Sequence, residues 1–153
     1  MNFEEAMALA IKVASEATTA SGDVPVGAVI LNGKSEVVAT GSNERELDHD
    51  PTAHAEIVAM RNASAELGSW RLEDHTLVVT LEPCAMCAGA IVQSRIPRVV
   101  FGAWDAKAGA VGSVWDILRD PRSLNKPEVI SGVLAAECAQ LLQTFFQGQR
   151  KGI

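Results

Sequence analysis

His75-Thr76-Leu77-Val78-Val79-Thr80-Leu81-Glu82-Pro83-Cys84-Ala85-Met86-Cys87-Ala88-Gly89-Ala90-Ile91 is the stretch on which the fold turns. His75 to Thr80 is rich in β-branched residues and reads as a strand. Glu82-Pro83 then opens a helix over Cys84 to Ser94, and Arg98 to Ala103 returns as another strand. Upstream, Phe3, Met7, Ala10, Ile11 and Ala14 recur at helical spacing, so the chain opens with an amphipathic helix ending near Ser21-Gly22. Two β-rich runs follow, Val24 to Leu31 and Glu36 to Thr40. Asn32-Gly33 between them predicts a hairpin turn, because both residues tolerate positive φ. Asp50-Pro51-Thr52 predicts a helix start, with the helix running from about Ala53 to Leu67 and stopping at Gly68. Downstream, Gly109, Gly112 and Pro121 mark a stretch that is mostly loop. Val129-Ile130-Ser131 is a short strand, and a last helix covers Leu134 to Phe146. Strands alternating with helices around one sheet predict a three-layer α/β/α domain.

Length and composition agree with one domain over residues 1–153: 48% of the residues are hydrophobic and 21% charged. No apolar run approaches the ~18 to 20 residues that span a bilayer. The acidic start, Met1-Asn2-Phe3-Glu4-Glu5, has no basic segment leading into an apolar one, so it is not read as a secretory signal. Three cysteines do not make a disulfide framework and fit a reducing compartment, the cytoplasm. A net charge of -6 argues against non-specific binding to nucleic acid, whose phosphates are held by clustered Lys and Arg.

The chemistry gathers at His54-Ala55-Glu56 and Pro83-Cys84-Ala85-Met86-Cys87. Helical residues three apart share a face, so Cys84 and Cys87 can reach one point. Both lie in a helix's first turn, where unpaired N–H groups favour the thiolate that binds metal. His54 stands at the start of its own helix. Two helix N-termini facing one another would assemble His54, Cys84 and Cys87 as a tetrahedral zinc site. Three protein ligands leave one position for water, whose pKa the metal lowers. Glu56 beside that water can accept its proton and deliver it elsewhere, which makes it the catalytic residue. This H-x-E with P-C-x-x-C arrangement resembles the signature of zinc nucleobase deaminases.

Other readings of these residues fall short. A thioredoxin-type redox pair has no need of the upstream His-x-Glu. A closed structural zinc site needs a fourth ligand, and Cys138 is the obvious one. Yet Leu134, Cys138, Leu141 and Phe145 form one apolar stripe, which places Cys138 in the core. His49 lies in an acidic loop and His75 at a strand entry, so surface or supporting roles suit them better than ligation.

At these residues the chain resembles the cytidine deaminase-like superfamily, and within it the bacterial tRNA-specific adenosine deaminases. Asp23 to Val29, Asp50 to Glu56, Pro83 to Ile91 and Phe101 to Ser113 all match in order and spacing. The last segment is the one that favours the tRNA enzymes. The resemblance implies a cytidine deaminase-like fold with a five-stranded mixed sheet, a homodimer, zinc, and a wobble adenosine in a tRNA anticodon loop deaminated to inosine. It also implies that Asn43 hydrogen-bonds the flipped base, that Val26 packs on it, that the Ala55 backbone touches it, and that Asp105 lies near the ribose. Trp104 departs from the basic or polar residue common in relatives, and the C-terminus lacks their basic extension. Lys107, Arg150 and Lys151 are the expected phosphate contacts.

Two rival functions stand beside this one. The first is deamination of a free base or nucleoside such as guanine or cytosine, which the acidic charge favours. The second is a zinc-stabilised binding protein without turnover, for which Glu56 would have no use.

Overall fold

The computed structural model describes residues 1–151, and the side chains of Arg150 and Lys151 fall outside the described residues. Helix α1 (Phe3–Ser21) is followed by strands β1 (Gly27–Leu31) and β2 (Val37–Ser42), then α2 (Ala55–Leu67) and β3 (Thr76–Leu81). Helix α3 (Ala85–Ser94), strands β4 (Arg98–Ala103) and β5 (Glu128–Ile130), and helix α4 (Ala135–Lys151) complete the order. The five strands lie as β2-β1-β3-β4-β5. β1 runs antiparallel to β2 and β3, whereas β3, β4 and β5 are parallel, so the sheet is mixed as the resemblance implied.

Strand side chains alternate between faces, and each face has its own core. Ala28, Ile30, Leu77, Val79, Val99 and Phe101 point to α2 and α3, whose Ala59, Met60, Ala88 and Ile91 cover them. Val29, Leu31, Val78 and Val100 point the other way, to Ala6, Met7 and Ala10 of α1 and Cys138 of α4. Two-sided burial explains why the central strands are nearly continuous apolar runs. On the α2 side a Cβ at Gly41 would collide with the backbone of Ala55 and Ala59. Glycine there lets the first turn of α2 lie flat on β2, and that turn carries Glu56.

Several boundaries differ from the sequence reading, each for a local reason. The hairpin turn spans Asn32 to Glu36 and places Ser35, not Asn32 or Gly33, at positive φ (60°). The Asn32 side chain accepts from the N–H groups of Lys34 and Glu36 (2.9 and 3.0 Å) and shapes that longer turn. β1 begins at Gly27 rather than Val24, because Val26 folds back to donate to the Val24 carbonyl (3.0 Å). α2 begins at Ala55, not Ala53. Asp50 caps the N–H of Thr52 (2.8 Å) within a separate turn, and His54 becomes the residue before the helix. α4 continues past Phe146 to Lys151. No described helix is long and apolar enough to cross a membrane.

Candidate active site

α2 and α3 are aimed at one point by their starts. His54 and Cys84 each stand immediately before the first helical residue, with extended backbone and no side-chain cap, so the N–H groups behind them are free to polarise whatever sits there. Cys87, one turn into α3, is buried; Cys84 and His54 are half-buried. The Nδ1 of His54 lies 3.5 Å from the Sγ of Cys84 and 3.5 Å from the Sγ of Cys87. All three ligand atoms fall within 4.8 Å of one another. Zinc bonds of ~2.0 Å to nitrogen and ~2.3 Å to sulfur at tetrahedral angles separate N from S by about 3.5 Å. The trio therefore fits zinc without rearrangement, and no fourth side chain joins it among the described residues.

Charge at the trio follows from these contacts. A hydrogen bond from the Cys87 thiol, aided by His54 and opposed by burial, lowers Cys84 to about 3. The same shared proton, with burial, pushes Cys87 up. His54 is raised by its hydrogen bond to Cys84. Glu56, in the first turn of α2, is only 4% exposed, and burial lifts its carboxyl to about 7. Such a group both accepts and releases protons near neutrality.

Above these four residues lies a cavity of about 180 Å³, walled by Val26, Asn43, Ala55 and Asp105 from the sequence reading and by Arg45 and Glu82, which it did not single out. Drug-sized ligands occupy roughly 300 to 1,000 Å³, so this one suits a single flat ring system rather than a whole nucleotide. Asn43 donates from Nδ2 to the Val24 carbonyl (3.3 Å) and accepts at Oδ1 from the Arg45 N–H (3.3 Å), which fixes its amide at the rim. Asp105 accepts at Oδ1 from the N–H groups of Lys107 and Ala108 (3.1 and 3.2 Å). Lys107 itself is exposed, just outside the cavity.

The remaining candidates lie elsewhere. Cys138 is 1% exposed in the α1/α4 layer, across the sheet from the trio, and burial raises its thiol to about 11. His49 is exposed in its loop at positive φ. His75 is anchored through Nδ1 to the Glu73 carbonyl (2.6 Å) and faces a different cavity. Arg45 could not have been found from the sequence, since Glu44-Arg45-Glu46 looks like any solvated charged loop. Glu82 carried a signal that was readable: an acidic residue between a buried strand and a metal-motif proline.

The chain is similar to several known proteins. The model of the cytidine and deoxycytidylate deaminase zinc-binding region matches residues 1–103. The tRNA-specific adenosine deaminase of Haemophilus influenzae is 49% identical over 148 residues, 97% of this chain and 85% of that protein. A structure from a study of A-to-I editing by tRNA:A34 deaminases at the wobble position superimposes with a TM-score of 0.85 at 40% identity, covering 90% of this chain and 99% of that one. Guanine deaminase from Nitrosomonas europaea is more distant, with a TM-score of 0.75 at 28% identity over 93% of this chain and 83% of its own.

Proposed function

The chain belongs to the cytidine and deoxycytidylate deaminase zinc-binding family, and on that premise we propose that it converts the wobble adenosine of a tRNA anticodon loop to inosine. The observation that carries the reaction type is a base-sized cavity lined by Glu56, His54 and Cys84, the last two of which form the metal trio with Cys87. The relatives' names carry the substrate.

His54, Cys84 and Cys87 would hold zinc, which supplies Lewis acidity to water when bound. The residues of the chain do the rest. Asn43, Val26 and the Ala55 backbone orient the adenine, and Asp105 meets the sugar. Glu56 takes a proton from the attacking water and hands it to the ring nitrogen beside C6. As the water oxygen bonds to C6, Glu56 takes its second proton and passes it to the exocyclic amine, so that the C–N bond breaks, ammonia leaves and the C6 carbonyl of inosine remains. The low-polarity surroundings of Glu56 keep bulk water from competing for that proton. Anticodon bases are already unpaired, so extruding one costs little.

Charge placement supports RNA in spite of the net charge of -6. Lys12, Arg61, Arg71, Arg98, Arg119 and Arg122 are each paired with a carboxylate. Among the described residues Lys34, Arg45, Arg95, Lys107 and Lys126 have no such pair, and of these Arg45 lines the cavity while Lys107 stands next to its lining residues Asp105 and Ala108. We take Arg45 and Lys107, with Arg150 and Lys151, as phosphate contacts; each one replaced by Ala should flatten the salt dependence of binding by about one unit. The direct test offers the protein an anticodon stem-loop with adenosine at the wobble position and, separately, free guanine. Inosine in the RNA is the expected product. Turnover of guanine with the RNA untouched would transfer the function to the free-base reading.

The homodimer is part of the same proposal. Ile57 and Met60 of α2, Ala90 of α3 and Trp70 line an apolar groove of about 460 Å³, and Trp70 is 55% exposed. An indole and aliphatic face left open on two core helices suits a second copy of the chain. Sedimentation should give a dimer, and Trp70→Glu should shift it towards monomer; a wild-type monomer at micromolar concentration would contradict this. We place the chain in the cytoplasm, where tRNA is available and thiol ligands stay reduced. Recovery from a membrane or periplasmic fraction would contradict that placement.

A further inference from the structure

Glu82 is the last residue before the metal motif, and its carboxylate is 2% exposed. No Lys or Arg pairs with it among the described residues. Its four acceptor positions are filled by a single loop instead. Oε1 accepts from the N–H of Asp105 (3.0 Å) and from the Ser113 hydroxyl. Oε2 accepts from the N–H groups of Val111 (2.9 Å) and Ser113 (3.1 Å). The backbone repeats the connection on either side: the Ala110 N–H donates to the Pro83 carbonyl (2.8 Å), and Cys84 and Gly109 pair as an antiparallel bridge. A Cβ at Gly109 would overlap the carboxylate, so the loop approaches as closely as only glycine permits.

One side chain thus joins two walls of the cavity, the Cys84 edge and the loop that carries Asp105. The loop's own turns and the buried Ala110 and Val111 shape it internally, and Glu82 is the side chain that ties both of its ends to the Cys84 edge. We propose that Glu82 is a positioning residue for deamination, setting the Asp105–Ser113 loop against the metal-binding edge so that the base is aligned with Glu56. The proposal rests on the function given above. It predicts that an uncharged replacement harms alignment rather than metal binding, because the Glu82 carboxylate is spent on the loop and is not among the three ligand atoms.

Glu82→Gln preserves shape but presents an amide N–H₂ to at least one N–H donor, so part of the loop is released whichever way the amide turns. The variant should keep one zinc per chain and its fold. At saturating stem-loop its kcat should fall roughly ten- to hundredfold, the scale of a displacement near 1 Å, with a smaller change in KM. A residue that served stability alone would lower the melting temperature and leave kcat of the folded protein unchanged. Gly109→Ala, which pushes the same contact apart from the loop side, should reproduce the defect. It takes the place of Glu82→Gln if that variant does not fold.

A double-mutant cycle with Asp105→Ala is the deciding measurement. If Glu82 acts through the loop, Asp105→Ala costs much less in the Glu82→Gln background than in wild type. Equal factors in both backgrounds, unchanged kcat, or loss of zinc in Glu82→Gln would each overturn the proposal. Wild-type protein that ignores RNA but deaminates guanine would instead overturn the function, and kcat of zinc-loaded Glu82→Gln on guanine would then decide the role of Glu82.

Discussion

Glu56→Ala is expected to retain one zinc per chain, its fold and its affinity for RNA, while turnover falls by ~10²-fold to 10⁴-fold or more. Zinc is retained because the three ligand atoms come from His54, Cys84 and Cys87, and the carboxylate is not among them. Turnover is lost because no neighbour can take over the proton. The other carboxylates of the cavity are Glu82 and Asp105. Glu82 has every acceptor position occupied by the 105–113 loop, and burial of its carboxyl is outweighed by those hydrogen bonds, which hold it below the usual carboxylate range. Asp105 is turned to its own backbone through Oδ1. Glu56→Gln should fail equally, since it keeps the shape and removes only the ability to accept a proton. Metal analysis beside single-turnover inosine formation checks the pair. Near-normal turnover in either variant would mean that another group moves the proton.

Residue types and spacing exposed the chemistry of the site more fully than its walls. His54, Cys84 and Cys87 were legible because metal ligation demands those residue types, and a three-residue spacing on a helix puts two of them on one face. The β-branched run of β3 and the apolar stripe containing Cys138 were legible because burial on both faces of a strand or on one face of a helix leaves a regular trace. The start of α2 was placed two residues early, because the capping signal of Asp50 was read correctly but assigned to the helix rather than to the turn before it. Glu82 could be noticed from its place between a buried strand and Pro83, but its role, like that of Arg45, could not be read. Their roles depend on segments 23 to 31 residues away in sequence, or on a loop whose path no local pattern encodes. Long-range pairing of that kind becomes visible only when the chain is folded.

Cys84→Ser and Cys87→Ser should both lose zinc and activity, yet they should differ in what becomes of the fold. A serine hydroxyl stays protonated where a thiolate would form, so either replacement leaves two protein ligands and an incomplete tetrahedron. Metal content should drop well below one per chain, and inosine formation should fall to background. Cys84, however, occupies the position just before α3, with extended backbone and no side-chain cap of its own. Serine is among the best residues there and can accept a free N–H of the first turn, a contribution of about 1 kcal/mol. Cys87 is fully buried one turn later. Serine there is shorter than the thiol that reaches His54 Nδ1, and its buried hydroxyl costs about 1 to 3 kcal/mol if it falls short of that partner. Metal-free Cys84→Ser should therefore melt at or above the temperature of metal-stripped wild type, and Cys87→Ser below it. That contrast separates loss of metal from loss of fold, which activity alone cannot do. Full zinc occupancy in either variant would remove that cysteine from the ligand set and with it the three-ligand site.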